Sequence, residues 1–254
     1  MKIALIQIPL AWEDPKSNRS YIEQKINSIE SGTDLLILPE MFTTGFTMQP
    51  ERVAETMNGE TLRWMQSLAK AKNCGITGSV IIVEEGNYYN RLLFIFPSGE
   101  IQYYNKRHLF TLAGEDKSYT KGTQKIIIEY NGWKICPLIC YDLRFPVFAR
   151  NVEHYDLLLY VANWPTIRIQ AWDTLLKARA VENMSYTIGV NRIGKDEKNY
   201  EYSGHSQVID FLGNYTTDPQ EKEGVFYAQL DKEALMKARI KLGFLKDQDE
   251  FNWK

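Results

Sequence analysis

Three side chains of complementary chemistry stand at the ends of apolar runs. Glu40 follows Leu35-Leu36-Ile37-Leu38-Pro39, Lys106 follows Ile101-Gln102-Tyr103-Tyr104-Asn105, and Cys140 follows Cys136-Pro137-Leu138-Ile139. A thiolate attacks carbonyl carbon where a thiol hardly does, and a free cysteine gives up its proton only at about pH 8.5. Glu40 is the candidate general base for that proton, in a site enclosed enough to raise a carboxylate's proton affinity. Lys106 supplies a fixed positive charge that favours thiolate over thiol and donates to a tetrahedral oxyanion. Losing one such donor typically costs about 10²–10³ in rate. The backbone N–H of Tyr141, just past the sulfur, is the natural second donor, by analogy with the strand-to-turn elbow of hydrolases. These groups can open an unactivated amide without a metal or a histidine. Glu40 passes its proton to the departing ammonia and then activates water against the thioester. Glu115, in the long segment after Lys106, is placed to orient Lys106 or the substrate amide.

For the trio to meet, its runs must be strands of one parallel or mixed sheet, and the surrounding pattern is of that kind. Lys2–Ile8 reads as a strand and Asn18–Ser31 as a helix, with Ile22, Ile26 and Ile29 at helical spacing and Ser17 as its cap. The continuous apolar run Asp34–Pro39 fits a strand covered on both faces. Glu60–Asn73 is a second helix. Ile76–Val83, Arg91–Phe96 and Ile101–Asn105 form a meander, and Arg107–Thr123 is a long loop of a length that is functional or disordered in compact domains. Asn131-Gly132 between Lys125–Tyr130 and Trp133–Cys140 signals a type I′ hairpin, and Pro137 suggests a bulge or an edge in the second strand. A short helix Pro146–His154, a strand Asp156–Ala162 and a long helix Ile167–Met184 follow. Strands at Tyr186–Arg192, His205–Phe211 and Val225–Leu230 and a helix from Asp231 complete a single mixed α/β domain spanning residues 1–254.

Bulk properties narrow the class. A net charge of -2 gives no electrostatic reason to expect nucleic acid or an acidic membrane as partner. No run approaches the roughly 18 apolar residues of a membrane span, and the first strand lacks the marks of a signal peptide, so a cytoplasmic protein is expected. Three cysteines argue against a disulfide framework. Cys136 and Cys140 share a strand face but lie roughly 13 Å apart at about 3.3 Å per residue, too far to pair. C-x-x-C and H-E-x-x-H are absent, His108, His154 and His205 are scattered, and no metal site is visible.

Taken singly, each residue also fits an inert role: a buried cysteine, a solvated glutamate at a strand end, a basic edge at Lys106-Arg107. The flanking words decide between these. Leu38-Pro39-Glu40-Met41-Phe42-Thr43-Thr44-Gly45-Phe46, Asn105-Lys106-Arg107-His108-Leu109-Phe110 and Cys140-Tyr141-Asp142-Leu143-Arg144-Phe145-Pro146 resemble the three catalytic blocks of the nitrilase superfamily, the carbon–nitrogen hydrolases. Ala162-Asn163-Trp164-Pro165, Lys177-Ala178-Arg179-Ala180-Val181-Glu182-Asn183 and Gly204-His205-Ser206 extend the likeness in order along almost the whole chain. Within the superfamily the chain looks most like the omega-amidase branch. That resemblance implies a cofactor-free, four-layer α-β-β-α sandwich with Glu40 as base, Lys106 as oxyanion partner, Cys140 as nucleophile and Glu115 as supporting glutamate. It implies a homodimer acting on the terminal amide of 2-oxoglutaramate or 2-oxosuccinamate, releasing the 2-oxo diacid and ammonia. One departure is Val147, where many members carry an acid after the proline.

The substrate's free carboxylate needs a cation. Arg144 either supplies it as a bidentate partner or braces the loop against Asp142 or the neighbourhood of Glu40, and Arg168 and Arg192 rank behind the residues named here. Phe42, Phe46 and Trp164 are candidates for the walls around the carbon chain. The competing readings are another branch of the superfamily, acting on deaminated glutathione, N-carbamoyl amino acids or aliphatic amides, and a non-catalytic binding protein on the same fold. A Cys–His pair using His108 is a further reading of the bare residues.

Overall fold

The computed structural model describes residues 1–249. In chain order the strands are Lys2–Gln7 (β1), Leu35–Ile37 (β2), Gly75–Glu84 (β3), Asn87–Ile95 (β4), Ile101–Asn105 (β5), Ile128–Tyr130 (β6) and Trp133–Ile139 (β7). They continue with Leu157–Ala162 (β8), Tyr186–Asn191 (β9), Ile193–Lys195 (β10), Glu201–Ser203 (β11), Ser206–Ile209 (β12), Tyr215–Gln220 (β13) and Gly224–Gln229 (β14). The helices are Pro15–Asn27 (α1), Glu60–Lys72 (α2), Glu115–Ser118 (α3), Pro146–Ala149 (α4), Ile169–Asn183 (α5) and Lys232–Leu242 (α6).

Two six-stranded mixed sheets form, in the orders β14-β1-β2-β3-β4-β5 and β13-β12-β9-β8-β7-β6. The alternation of a β-strand decides what each sheet buries. Ile3, Leu5, Leu35 and Ile37 join the core shared with Ile135, Leu138 and the β8 residues of the other sheet. Their neighbours Ala4, Ile6, Leu36 and Leu38 face the opposite way, onto Ile22 and Ile26 of α1 and Leu62, Met65 and Ala69 of α2. On the far side Trp172, Leu176 and Ala180 line the buried face of α5. A Cβ on Gly189 of β9 would fall 2.4 Å from Leu176 Cδ1, so that helix lies directly on its sheet. The result is the expected α-β-β-α layering. No helix among the described residues is long and apolar enough to cross a membrane.

Several local expectations are corrected. Helix α1 starts at Pro15, and its cap is Asp14, whose carboxylate accepts from Ser17 N–H at 3.0 Å. Proline at the first helical position, where no N–H is needed, sets that start. The 146–154 helix is only α4, because the chain leaves helical geometry at Arg150. Strand β4 begins at Asn87, directly after the two-residue turn Glu85-Gly86, both at positive φ. Its polar first half, Asn87 to Asn90, hides it from a search for apolar runs. His205 lies outside any strand, at φ 60, and β10, β11 and β13 are additions. The Asn131-Gly132 turn joins Tyr130 to Trp133 with both residues at positive φ, as a type I′ turn requires. Pro137 is tolerated because β6 stops pairing at Ile135, leaving β7 partnered there by β8.

Candidate active site

The three catalytic candidates reach one point from two sheets rather than one. Glu40 follows β2 and Lys106 follows β5 in the first sheet, while Cys140 follows β7 in the second. All three leave the C-terminal ends of their strands, β2 pairing parallel to β3 and β7 parallel to β8. After β2 the chain keeps tracking β3, with Leu38 N–H on Thr77 O at 2.8 Å and Phe42 N–H on Ser79 O at 3.1 Å. Gly78 permits that approach, since a Cβ there would lie 2.7 Å from the Leu38 Cβ.

Lys106 is the hub. Its Nζ donates to Glu40 Oε1 at 2.9 Å and to both oxygens of Glu115 at 2.9 Å. All three side chains are fully buried or nearly so. Glu115 opens α3, inside the segment expected to be an unstructured loop, and its Oε2 also accepts from Phe110 N–H at 2.6 Å. Asn163, just past β8, links Glu40 to the sulfur: its N–H reaches Glu40 Oε2 at 2.7 Å and its carbonyl lies 4.0 Å from Cys140 Sγ. Its side-chain amide donates to Glu40 O at 2.6 Å, fixing the glutamate's backbone as well.

Asn90 belongs to this cluster and was not recognised from sequence. Its Nδ2 donates to Glu40 Oε1 at 2.8 Å and to Glu115 Oε1 at 3.3 Å, and its carbonyl accepts from Lys106 N–H at 3.0 Å. One amide therefore separates two carboxylates that would otherwise repel, and anchors the backbone of the lysine between them. The signal was an asparagine in a strand rich in tyrosine and leucine, which single-sequence patterning reads as a turn.

Cys140 sits at φ 44, in the left-handed region that costs a side-chain-bearing residue energy, and opens the tight turn Cys140–Arg144. The sharp reversal places the half-buried Cys140 in the wall of a cavity of about 310 Å³ and puts Tyr141 N–H in the first turn, where N–H groups lack a partner within the turn. Asp142 stabilises the elbow by accepting from Ile139 N–H at 3.0 Å and from Tyr104 hydroxyl at 2.8 Å. His108 Nδ1 is 2.8 Å from Asp142 Oδ1, and its ring stacks on Phe145 at 3.7 Å. The imidazole is thus committed to the elbow's carboxylate, and a Cys–His pair is not formed.

Burial and mutual charge set the proton affinities of these groups. Burial by itself lowers the proton affinity of Lys106, but Glu115 and Glu40 outweigh it and hold the ammonium charged. Burial raises the proton affinity of Glu115, Lys106 opposes the rise, and the Glu40 charge adds to it. Burial and then the Glu40 charge push the Cys140 thiol well above the ordinary range, against Lys106. Lys106 favours the thiolate, but burial and the carboxylates outweigh it and raise the proton affinity of the thiol.

Phe46, Tyr141, Arg144 and Trp164 line the cavity. Lys106 Nζ lies 5.2 Å from the centre of the Phe46 ring, and the Arg144 guanidinium 5.0 Å from that of Trp164. Phe42 does not line it. The left-handed turn at Met41 sends Phe42 back into the first sheet's outer layer, 6.2 Å from the Trp64 ring. Arg192 is buried and donates to the carbonyls of Leu10 and Lys195, whereas Arg168, ranked behind Arg144 from sequence, is in the cavity wall.

The carbon-nitrogen hydrolase family model matches residues 2–240. This chain is a carbon-nitrogen hydrolase. It is 42% identical to the omega-amidase YafV of Escherichia coli K12 over 253 residues, 99% of this chain and 98% of that protein. It is 31% identical to the 2-oxoglutaramate amidase of Bacillus subtilis over 234 residues, 90% of each chain. Among solved structures, the superfamily protein XC1258 of Xanthomonas campestris superposes with a TM-score of 0.97 at 41% identity, covering 100% of this chain and 99% of that one. The hydrolase is therefore an amide-cleaving enzyme of the nitrilase superfamily.

Proposed function

We propose that this enzyme is an omega-amidase: it hydrolyses the terminal amide of 2-oxoglutaramate, 2-oxosuccinamate and similar small 2-oxo acid amides to the 2-oxo diacid and ammonia. The observation that carries the chemistry is the Lys106 ammonium held at 2.9 Å by both Glu40 and Glu115 beside an elbow cysteine. The substrate class draws on the YafV and 2-oxoglutaramate amidase relatives.

In this mechanism the Cys140 proton moves to Glu40 as the sulfur bonds to the amide carbon. Negative charge then appears on the carbonyl oxygen, which accepts from Lys106 Nζ and Tyr141 N–H. Transfer to Glu40 leaves the net charge of the cluster unchanged, and it is coupled to attack because burial disfavours a thiolate standing free at this place. Glu40 returns the proton to the amide nitrogen as the C–N bond breaks, releasing ammonia and leaving a thioester. Water attacks that thioester while Glu40 takes its proton, and the collapsing intermediate expels Cys140, which is reprotonated. Phe46 and Trp164 wall the carbon chain, and Arg144 binds the carboxylate. Asp142, the bracing partner considered for Arg144, is instead taken by Tyr104, His108 and Ile139.

Ammonia release from 2-oxoglutaramate, measured against Cys140→Ala protein, tests the assignment; release no greater than the control's refutes it. Homodimerisation through the outer helices is part of the same reading, supported by the exposed Val181 on α5, and light scattering of the purified protein checks it. A cytoplasmic location fits a nucleophile that must stay reduced.

A further inference from the structure

Every arginine outside the cavity gives a side-chain N–H to an oxygen of another residue. Arg19, Arg52, Arg91, Arg179 and Arg239 pair with carboxylates, and Arg63, Arg107, Arg150 and Arg192 reach backbone carbonyls. The two exceptions among the described residues are Arg144 and Arg168, and both line the cavity above Cys140.

Each is held by an aromatic face instead. The Arg144 guanidinium lies 5.0 Å from the Trp164 ring centre and that of Arg168 5.2 Å from the Phe110 ring centre. Stacking of this kind fixes the plane of a guanidinium while leaving its N–H edge unused. The two rings are themselves tied to the site. Trp164 Nε1 donates to Arg168 O at 2.8 Å, and Phe110 packs 5.0 Å from Tyr141, next to the nucleophile. Of the acids in the lining, Asp196 is occupied by Tyr202 hydroxyl and by the N–H groups of Lys198 and Tyr200, each at 2.9 Å. Glu197 is exposed at the rim.

We infer that Arg168 is a specificity-determining residue, the second arm of a clamp with Arg144 that grips the 2-oxo-carboxylate end of the substrate. This deepens the omega-amidase reading and rests on it. A 2-oxo acid end offers three acceptor oxygens, two of carboxylate and one of ketone, which is more than one guanidinium edge engages bidentately. Charge also sorts the ends. The cavity wall carries two unpaired guanidinium groups, with Lys198 exposed at the rim, while the buried cluster carries two carboxylates and one ammonium. An amide with a remote carboxylate is drawn in amide-first, and the new carboxylate formed at Cys140 is repelled by Glu40 and Glu115.

The test compares kcat/KM for 2-oxoglutaramate with that for pentanamide, a neutral amide of the same chain length, in wild type, Arg168→Met and Arg168→Lys. In Arg168→Met the ratio of acid amide to neutral amide falls at least about tenfold, through KM for the acid amide, as expected for loss of a charge-assisted hydrogen bond. Arg168→Lys, which keeps charge without the fork, recovers part of that ratio. A ratio within twofold of wild type in Arg168→Met overturns the clamp, as does an equal loss on both amides, the mark of a structural role. Should wild type not cleave 2-oxoglutaramate, the omega-amidase reading fails and the clamp is judged by binding. Calorimetry of 2-oxoglutarate with Cys140→Ala and with Cys140→Ala/Arg168→Met then shows at least about tenfold weaker binding if Arg168 grips that end; equal affinity overturns it.

Discussion

Replacing Glu115 by glutamine removes one of the two charges that hold Lys106 and changes almost nothing else in shape. At 2.9 Å the gross attraction between Lys106 and Glu115 is about 6 kcal/mol at an effective dielectric constant of about 20. Desolvation of both groups offsets much of that, and breaking a buried pair typically costs about 3–5 kcal/mol. Lys106 keeps Glu40 at 2.9 Å, so the lower end applies, about 3 kcal/mol. For a chain of this size that is a fall in melting temperature of about 6–12 °C. The larger consequence is kinetic. With half its anchors gone, Nζ no longer has a fixed position over the developing oxyanion, and kcat falls about 10²–10³. The same substitution lowers the proton affinity of Cys140, because the Glu115 charge is among those holding the thiol up. Thermal unfolding, steady-state ammonia release and the rate of alkylation by a small neutral reagent at fixed pH read the three effects. A variant with kcat within threefold of wild type, or one alkylated more slowly than wild type, would refute the argument that Glu115 works through the lysine's charge and position.

Three further outcomes follow from the same structure. Because burial and Glu40 raise the Cys140 thiol, thiolate becomes scarcer at any given pH, so alkylation of free enzyme by a neutral non-amide reagent is slower than that of free cysteine at pH 7 and climbs through pH 9 without levelling; a plateau near neutrality contradicts it. Asn90→Asp places a third carboxylate against Glu40 and Glu115 and is expected to reduce kcat at least about 10²-fold with the fold retained by circular dichroism; activity near wild type would remove Asn90 from the machinery. Gly189→Ala drives a methyl into Leu176 and Trp172, costing about 1–3 kcal/mol in denaturant unfolding while leaving the distant cluster's chemistry in place; an unchanged midpoint would mean that α5 can shift outward freely.

Much of the architecture could be read from local pattern. The apolar run before Glu40 announced a strand buried on both faces, since Leu35 and Ile37 meet the other sheet while Leu36 and Leu38 meet helices. Asn131-Gly132 announced its turn through backbone torsions that few residues accept. The Glu40, Lys106 and Cys140 candidates were legible because each follows a strand, their chemistries complement one another, and the words flanking them resemble the catalytic blocks of one family. Glu115 was singled out by its place in the long segment after Lys106 and supported by family likeness, and the first residues of β4 were missed because Asn87-Tyr88-Tyr89-Asn90 beside a turn carries no aliphatic run.

What the sequence determined by itself was therefore the local elements and the kinds of chemistry at their ends, because torsional preference and periodicity act over a few residues. The tertiary structure decided the rest, because distance across the fold is not encoded in neighbouring residues. It decided that two sheets rather than one supply the trio, and that Asn90 parts the carboxylates. It decided that Phe42 turns into the core while Arg168 enters the cavity. Above all it set the charge balance, in which burial and the two acids around one lysine raise the proton affinity of the cysteine.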